Sequence, residues 1–239
     1  MKRVSPTPDE PDSEELSSIA ASRRAVVGGS VASILASLVG GNGSAFAQGA
    51  STVSADDIYA LWPEIEWISD PALKSKTVSC WENAFRLSNV RPVDLYDIPF
   101  SIRIPDCPVN FNAHKRCVAI VAYKSAKEMQ ELFEGSLQID LDVVLAGAIL
   151  ADVGKLLEYE MLDGKAVMSQ HGKLVRHAVS GAHLAMDAGL PDSVVHIVAT
   201  HSGEGDLSDR STESWIVHHA DFMCTDPFIA IARRNSLGR

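Results

Sequence analysis

Apolar and polar positions recur along this chain with helical spacing. Residues Asp56–Trp62 and Leu73–Val90 both suit helices, and the second places Val78, Trp81, Ala84, Phe85 and Leu87 on one face. Four prolines (Pro92, Pro99, Pro105, Pro108) make 91–110 a loop or extended connector. A long helix is predicted over Asn112–Phe133, and the most apolar helix, expected at the centre, over Leu141–Tyr159. Met161–Ser169 reads as a Gly-containing loop, and His171–Ala188 as a helix stopped by Gly189. A short helix then runs from Pro191 to about Thr200, followed by a polar loop over His201–Asp206. The last helix covers Thr212–Arg233, kinked or ended by Pro227. No period-two alternation is sustained, so the expected class is all-α.

The first fifty residues follow a different pattern. A polar, Pro- and Ser-rich stretch leads to Ser22-Arg23-Arg24, an apolar run over 25–40, and Ala45-Phe46-Ala47. These are the charged, apolar and A-x-A cleavage regions of an export signal. The twin arginines before a Gly-rich run resemble a twin-arginine (Tat) signal, with cleavage near Ala47. The run is shorter than the roughly 20 residues of a comfortable bilayer span. The expected organisation is therefore a Tat-like signal over 1–47, N-terminal helices and Pro-rich connector over 48–110, and a helical domain over 111–239. It implies a partner in the Tat machinery, an exported, periplasmic location and no stable membrane span after processing. The alternative is a cytoplasmic protein with a disordered tail and one extra helix.

The chain has 239 residues and a net charge of −10, which argues against nucleic acid as a bulk electrostatic partner. Its four cysteines, Cys80, Cys107, Cys117 and Cys224, form no C-x-x-C pair, so a zinc-thiolate knuckle is not expected. Export would permit disulfides, although spacing assigns no pairs; buried free thiols are the expected state for most of them. No Gly-x-Ser-x-Gly, P-loop or dinucleotide fingerprint is present.

The chemistry concentrates elsewhere. The apolar run Leu145–Leu150 leads through Ala151 into Asp152-Val153-Gly154-Lys155, and a carboxylate at the end of a core helix needs a partner. All eight histidines lie between His114 and His219. In chain order come His114, Asp152, His177, His201 and Asp221, and imidazole with carboxylate suits divalent transition metals. His183 is expected on a different helical face from His177, and His171 and His196 at the surface or helix ends. His218, one turn before Asp221, could reach the same pocket more readily than His219. Glu204 and Asp206 read as solvated loop carboxylates.

This ordered set, with Asp-x-Gly-Lys at the end of an apolar helix, resembles the HD-domain metal-dependent phosphohydrolases, over about 112–221. The resemblance implies an HD-domain helical bundle. It implies a two-metal site in which His114, Asp152 and Asp221 hold one divalent ion and Asp152, His177 and His201 the second. Mn, Fe or Zn, as one or two ions, would generate a hydroxide nucleophile. Asp152 and Lys155 would be catalytic, with Lys155 and, more weakly, Arg176 binding a phosphate oxygen of a small-molecule or nucleotide phosphoester. For Lys155 a solvated helix-end cation is an equal reading. Ala151 stands where the family carries a coordinating His, and Ser202 where many relatives have another. An altered metal site is therefore expected. Alternatives are a diiron oxygenase of the same superfamily, or a degenerate domain that binds a ligand or partner.

Overall fold

The computed structural model describes residues 53–238; the signal-like segment lies outside them. We number the helices α1 (Ala55–Leu61), α2 (Pro71–Leu87), α3 (Phe111–Leu132), α4 (Leu141–Leu150), α5 (Lys155–Glu158), α6 (His177–Asp187), α7 (Asp192–Thr200) and α8 (Thr212–Ser236). The all-α expectation holds, with one addition. The segment expected to be a loop forms a two-stranded antiparallel hairpin, β1 (Tyr159–Leu162) with β2 (Lys165–Met168), pairing Tyr159 with Met168. Its turn places Asp163 and Gly164 at positive φ, 50° and 75°, a conformation that glycine adopts without strain.

Helix α4 is the axis of the fold. Every residue from Val143 to Leu150 is buried, and α3, α7 and α8 pack around it. Asp140 caps it, accepting from the Asp142 and Val143 amides, while the Asp142 carboxylate accepts from the Ser69 and Asp70 amides at 2.8–3.1 Å. That second contact ties the start of α4 to the start of α2. Residues of α1 and α2, including Ile58, Trp81 and Phe85, and Trp62 just after α1, share one hydrophobic core with α3–α8.

The expected helix over Leu141–Tyr159 is broken. After Leu150 the chain tightens: Val153 donates to the Leu150 carbonyl, Lys155 to Asp152 and Leu156 to Val153, all i→i−3 bonds. The expected helix from His171 is also shorter, because 170–176 is a turn region and α6 starts at His177. Pro227 lies inside α8 without ending it. The connector 91–110 contains a short 3-10 turn, Pro92–Tyr96, and then folds back, with Phe100 donating to the Val109 carbonyl and Phe111 to that of Ile98. No helix among the described residues is long and apolar enough to cross a membrane. Of the cysteines, Cys80 is buried, and the Cys117 and Cys224 sulfurs lie 3.3 Å apart between α3 and α8.

Gly154 lets the break pack against α6. A Cβ there would lie 2.1 Å from the His177 carbonyl oxygen and 2.6 Å from the Gly181 nitrogen, both backbone atoms that cannot swing away. Gly154→Ala should therefore lower stability by about 1–3 kcal/mol, read as a lower thermal midpoint by circular dichroism. Gly203→Ala, whose Cβ would meet nothing closer than an Asp206 side-chain oxygen at 3.7 Å, should change it little.

Candidate metal centre

The break after α4 delivers a carboxylate to the middle of the protein. Asp152 is 1% exposed, and its two oxygens face different groups. Oδ1 lies 3.0 Å from Lys155 Nζ, 3.6 Å from His177 Nε2 and 3.7 Å from His201 Nε2. Oδ2 lies 3.5 Å from Lys115 Nζ and 3.6 Å from His114 Nε2. His114 Nε2 also reaches Asp221 Oδ1, at 3.1 Å. The residues singled out in the sequence, His114, Asp152, Lys155, His177, His201 and Asp221, thus meet at one buried centre. They form two overlapping ligand groups, Asp152–His177–His201 and His114–Asp152–Asp221.

Each side chain is placed by local structure. Asn110 caps α3 by accepting from the Ala113 amide, which sets His114 in the first turn, its ring stacked 4.2 Å from that of Phe100 in the connector. His177 opens α6. Glu158 accepts from both its backbone amide (2.8 Å) and its Nδ1 (2.9 Å). One carboxylate thereby caps the α6 N-terminus and fixes the ring. His201 ends α7, and its Nδ1 meets the Val198 carbonyl at 2.8 Å. His218 supports that turn from α8, its Nδ1 meeting the His201 carbonyl at 2.7 Å.

These contacts decide the tautomers. A carboxylate and a carbonyl only accept, so Nδ1 of His177 and of His201 must donate. In the neutral rings both Nε2 atoms then carry lone pairs, and these two atoms face each other 3.4 Å apart. With Asp152 Oδ1 they make a triangle of acceptors 3.4–3.7 Å on a side. Ligand atoms about 2.1 Å from one ion at tetrahedral angles lie about 3.4 Å from one another, so the triangle fits a divalent transition metal. The His114 group is a less complete fit. His114 and Asp221 are already in hydrogen-bond contact, and the adjacent Ala151 is fully buried with no donor atom.

Charge at the centre is balanced from within. Burial works against ionising Asp152, but Lys155 and Lys115, with His114, hold its carboxyl well below the ordinary range. Burial likewise opposes ionising Asp221, and the bond from His114 is the largest of the several contacts that together bring it below its usual value. Burial disfavours the Lys155 ammonium, yet Asp152 beside it raises the group above its usual value. Lys155 is 9% exposed and donates to the Phe100 carbonyl at 3.0 Å, so it is an internal cation and not a solvated one. Lys115, fully buried, was not anticipated from the sequence; neither was Glu158.

Around this centre lies a ring of paired charges. Arg176 bonds to Glu158 Oε1 and, at 2.6 Å, to Glu204 Oε1. Arg103 approaches Glu158 Oε1 at 3.7 Å. Glu204 also accepts from Ser202 Oγ at 2.6 Å; burial opposes its ionisation, but Ser202 and Arg176 bring it down to about 2. Glu204 is therefore an ion-paired group, not the solvated carboxylate expected, and Asp206 pairs with Arg210 at 2.8 Å. The other histidines stay outside: His183 pairs with Asp187, His171 meets Ser180 Oγ, His196 accepts from the Ser211 amide, and His219 stacks on Trp215. Two surface clefts, one beside Tyr59 and Val78 and one beside Gln130 and Asp140, share no residue with the centre; donor chemistry locates it, not cavity size.

Two outcomes follow. Glu158→Ala should weaken divalent-metal binding about 10–100-fold, measured by titration calorimetry, because His177 loses its orienting acceptor. Stability should also fall in acid in two steps. Burial lowers the pKa of His177 and of His218, so the folded chain binds fewer protons than the unfolded one. That contribution is intact above about pH 6.5 and is lost as the pH falls toward the depressed values. Asp152, Asp221 and Glu158 are also depressed, so their contribution is lost below about pH 4, toward their folded values. Thermal midpoints followed from pH 8 to pH 3 should show both declines; a flat profile between pH 7 and pH 5 would contradict the first.

No curated protein and no solved structure matches the chain. The family model described as HD domain matches residues 113–225, a segment that begins beside His114 and ends just after Asp221, and so contains every member of both ligand groups.

Proposed function

We propose that this protein is a metal-dependent phosphohydrolase acting on a phosphoester of a small molecule or nucleotide. The observation that carries the reading is the convergence of His177 Nε2, His201 Nε2 and Asp152 Oδ1, with the Nδ1 atom of each imidazole already turned to an acceptor. Two imidazole lone pairs facing each other beside a carboxylate in a protein interior are unfavourable, and a cation among them removes the conflict. A divalent ion held there supplies Lewis acidity and lowers the pKa of water to near neutrality.

The chain's own residues do the remaining work. Glu158 and the Val198 carbonyl keep both imidazoles in the ligating tautomer. Lys155, anchored to Phe100, places positive charge beside Asp152, where it can stabilise charge developing on a phosphoryl oxygen. Arg176 is already shared between Glu158 and Glu204, so its part is to hold the wall of the site. The exported location proposed for the protein rests on Arg23-Arg24 and the apolar run behind them.

Elemental analysis of the purified protein, supplemented with Mn, Fe or Zn, should find bound metal. Turnover of phosphomonoester and phosphodiester probes should be lost by more than about 100-fold in Asp152→Ala, beyond what a change in an orienting group costs. Protein that stays metal-free under all three supplements would overturn the reading in favour of a ligand-binding domain. Bound iron with a mixed-valence signal and no phosphoester turnover would favour an oxygenase.

A further inference from the structure

Lys115 is the residue at the centre that the proposed chemistry does not use. It sits next to His114 in the first turns of α3, yet its side chain is completely buried. Burying an ammonium group is strongly unfavourable unless an anion meets it. Among the described residues the carboxylate that does so is Asp152, through Oδ2 at 3.5 Å. That is the oxygen His114 Nε2 approaches at 3.6 Å, on the side of the His114–Asp152–Asp221 group.

We propose that Lys115 takes the place of one metal ion, and that the protein binds a single divalent cation, at Asp152–His177–His201. The inference rests on the metal-dependent reading above and narrows it to a mononuclear site.

Three observations converge on it. The first is charge. Asp152 and Asp221 bring two negative charges to the centre, and Lys115 and Lys155 bring two positive ones. Glu158 is matched by Arg176. One dication and its anionic substrate can be accommodated; a second would enter a region with no unmatched carboxylate and an ammonium already on the shared oxygen. The second is occupancy of the donors. His114 and Asp221 bond to one another at 3.1 Å, whereas His177 and His201 present facing lone pairs. The third is the missing donor. Ala151, fully buried directly before Asp152, offers only a methyl group where the family resemblance places an imidazole. Lys155 also touches Asp152, but on Oδ1, and its bond to the Phe100 carbonyl draws it toward the connector. With that second partner Lys155 can share Oδ1 with an ion, whereas Lys115 has Asp152 Oδ2 as its one hydrogen-bond partner among the described residues and must keep it. On the Oδ2 side the ion has lost a ligand and met a fixed cation.

The test is a count of Mn2+ ions, read by titration calorimetry and by elemental analysis after desalting, with Mn2+ alone as the probe. Four proteins are compared: the unaltered chain, Ala151→His, Lys115→Met and the double variant, each checked for folding by circular dichroism. The unaltered chain and Ala151→His should each bind one ion per chain, and the double variant two. The added ion should disappear when His114→Ala is introduced into the double variant. Two ions in the unaltered chain or in Ala151→His would overturn the proposal, as would a double variant that gains nothing over Ala151→His. If Lys115→Met does not fold, Ala151→His still decides: one ion supports Lys115 as the block, two ions refute it. If the unaltered chain binds no ion, the metal-dependent reading fails by itself, while the difference between Ala151→His and the double variant still reports on Lys115.

Discussion

The buried carboxylate of Asp152 is the constraint around which the centre is organised. A carboxylate that is 1% exposed cannot stay charged unless the protein surrounds it with donors and cations. Two neighbouring elements answer that requirement, α3 with His114 and Lys115 and α5 with Lys155, while α6 and α7 bring the Nε2 atoms of His177 and His201 to the other side of the same carboxylate. The backbone serves the same end. Tight i→i−3 bonds after Leu150 turn Asp152 out of the α4 axis, and Gly154 admits the α6 backbone so that His177 can approach. Connector 91–110 closes the arrangement by offering the Phe100 carbonyl to Lys155 and its ring to His114.

Much of this was legible in the sequence because it depends on period and order. The helices α2, α3 and α8 follow from apolar spacing, and the ligand groups follow from histidines and aspartates at element boundaries. The errors have definite causes. Leu141–Tyr159 reads as one helix because its long apolar run outweighs the poor helix formers Asp152 and Gly154; the break falls at those two residues, where Gly154 meets the α6 backbone. The hairpin over 159–168 is too short for alternation to show, and Asp163-Gly164 was its visible mark. Lys155 had two open readings because spacing puts it beside Asp152 without saying whether solvent reaches it.

Lys115 and Glu158 were missed for different reasons. Lys115 did leave a trace: it stands three residues before Val118 and four after Phe111, on the buried stripe of α3. A lysine on a core stripe predicts a buried anion, and Asp152 was already the obvious candidate. Glu158 left none. It follows Leu156-Leu157, and its role arises only because the hairpin and the following turn region bring His177 back over it, nineteen positions later. Such pairings are set by loop geometry, and no local pattern encodes them.

The two sides of Asp152 show how one carboxylate can be given unequal partners. On the Oδ1 side the protein fixes two imidazoles from behind, through Glu158 and the Val198 carbonyl, and leaves their lone pairs facing inward. On the Oδ2 side the partners satisfy each other, His114 with Asp221 and Lys115 with the oxygen itself. Rigid second contacts that orient acceptors toward a common point are what a metal site requires, and a closed set of donor–acceptor pairs is what it lacks. The asymmetry therefore lies in hydrogen bonding more than in residue type. The same His-Asp vocabulary spells an open site on one face of a single side chain and a sealed one on the other.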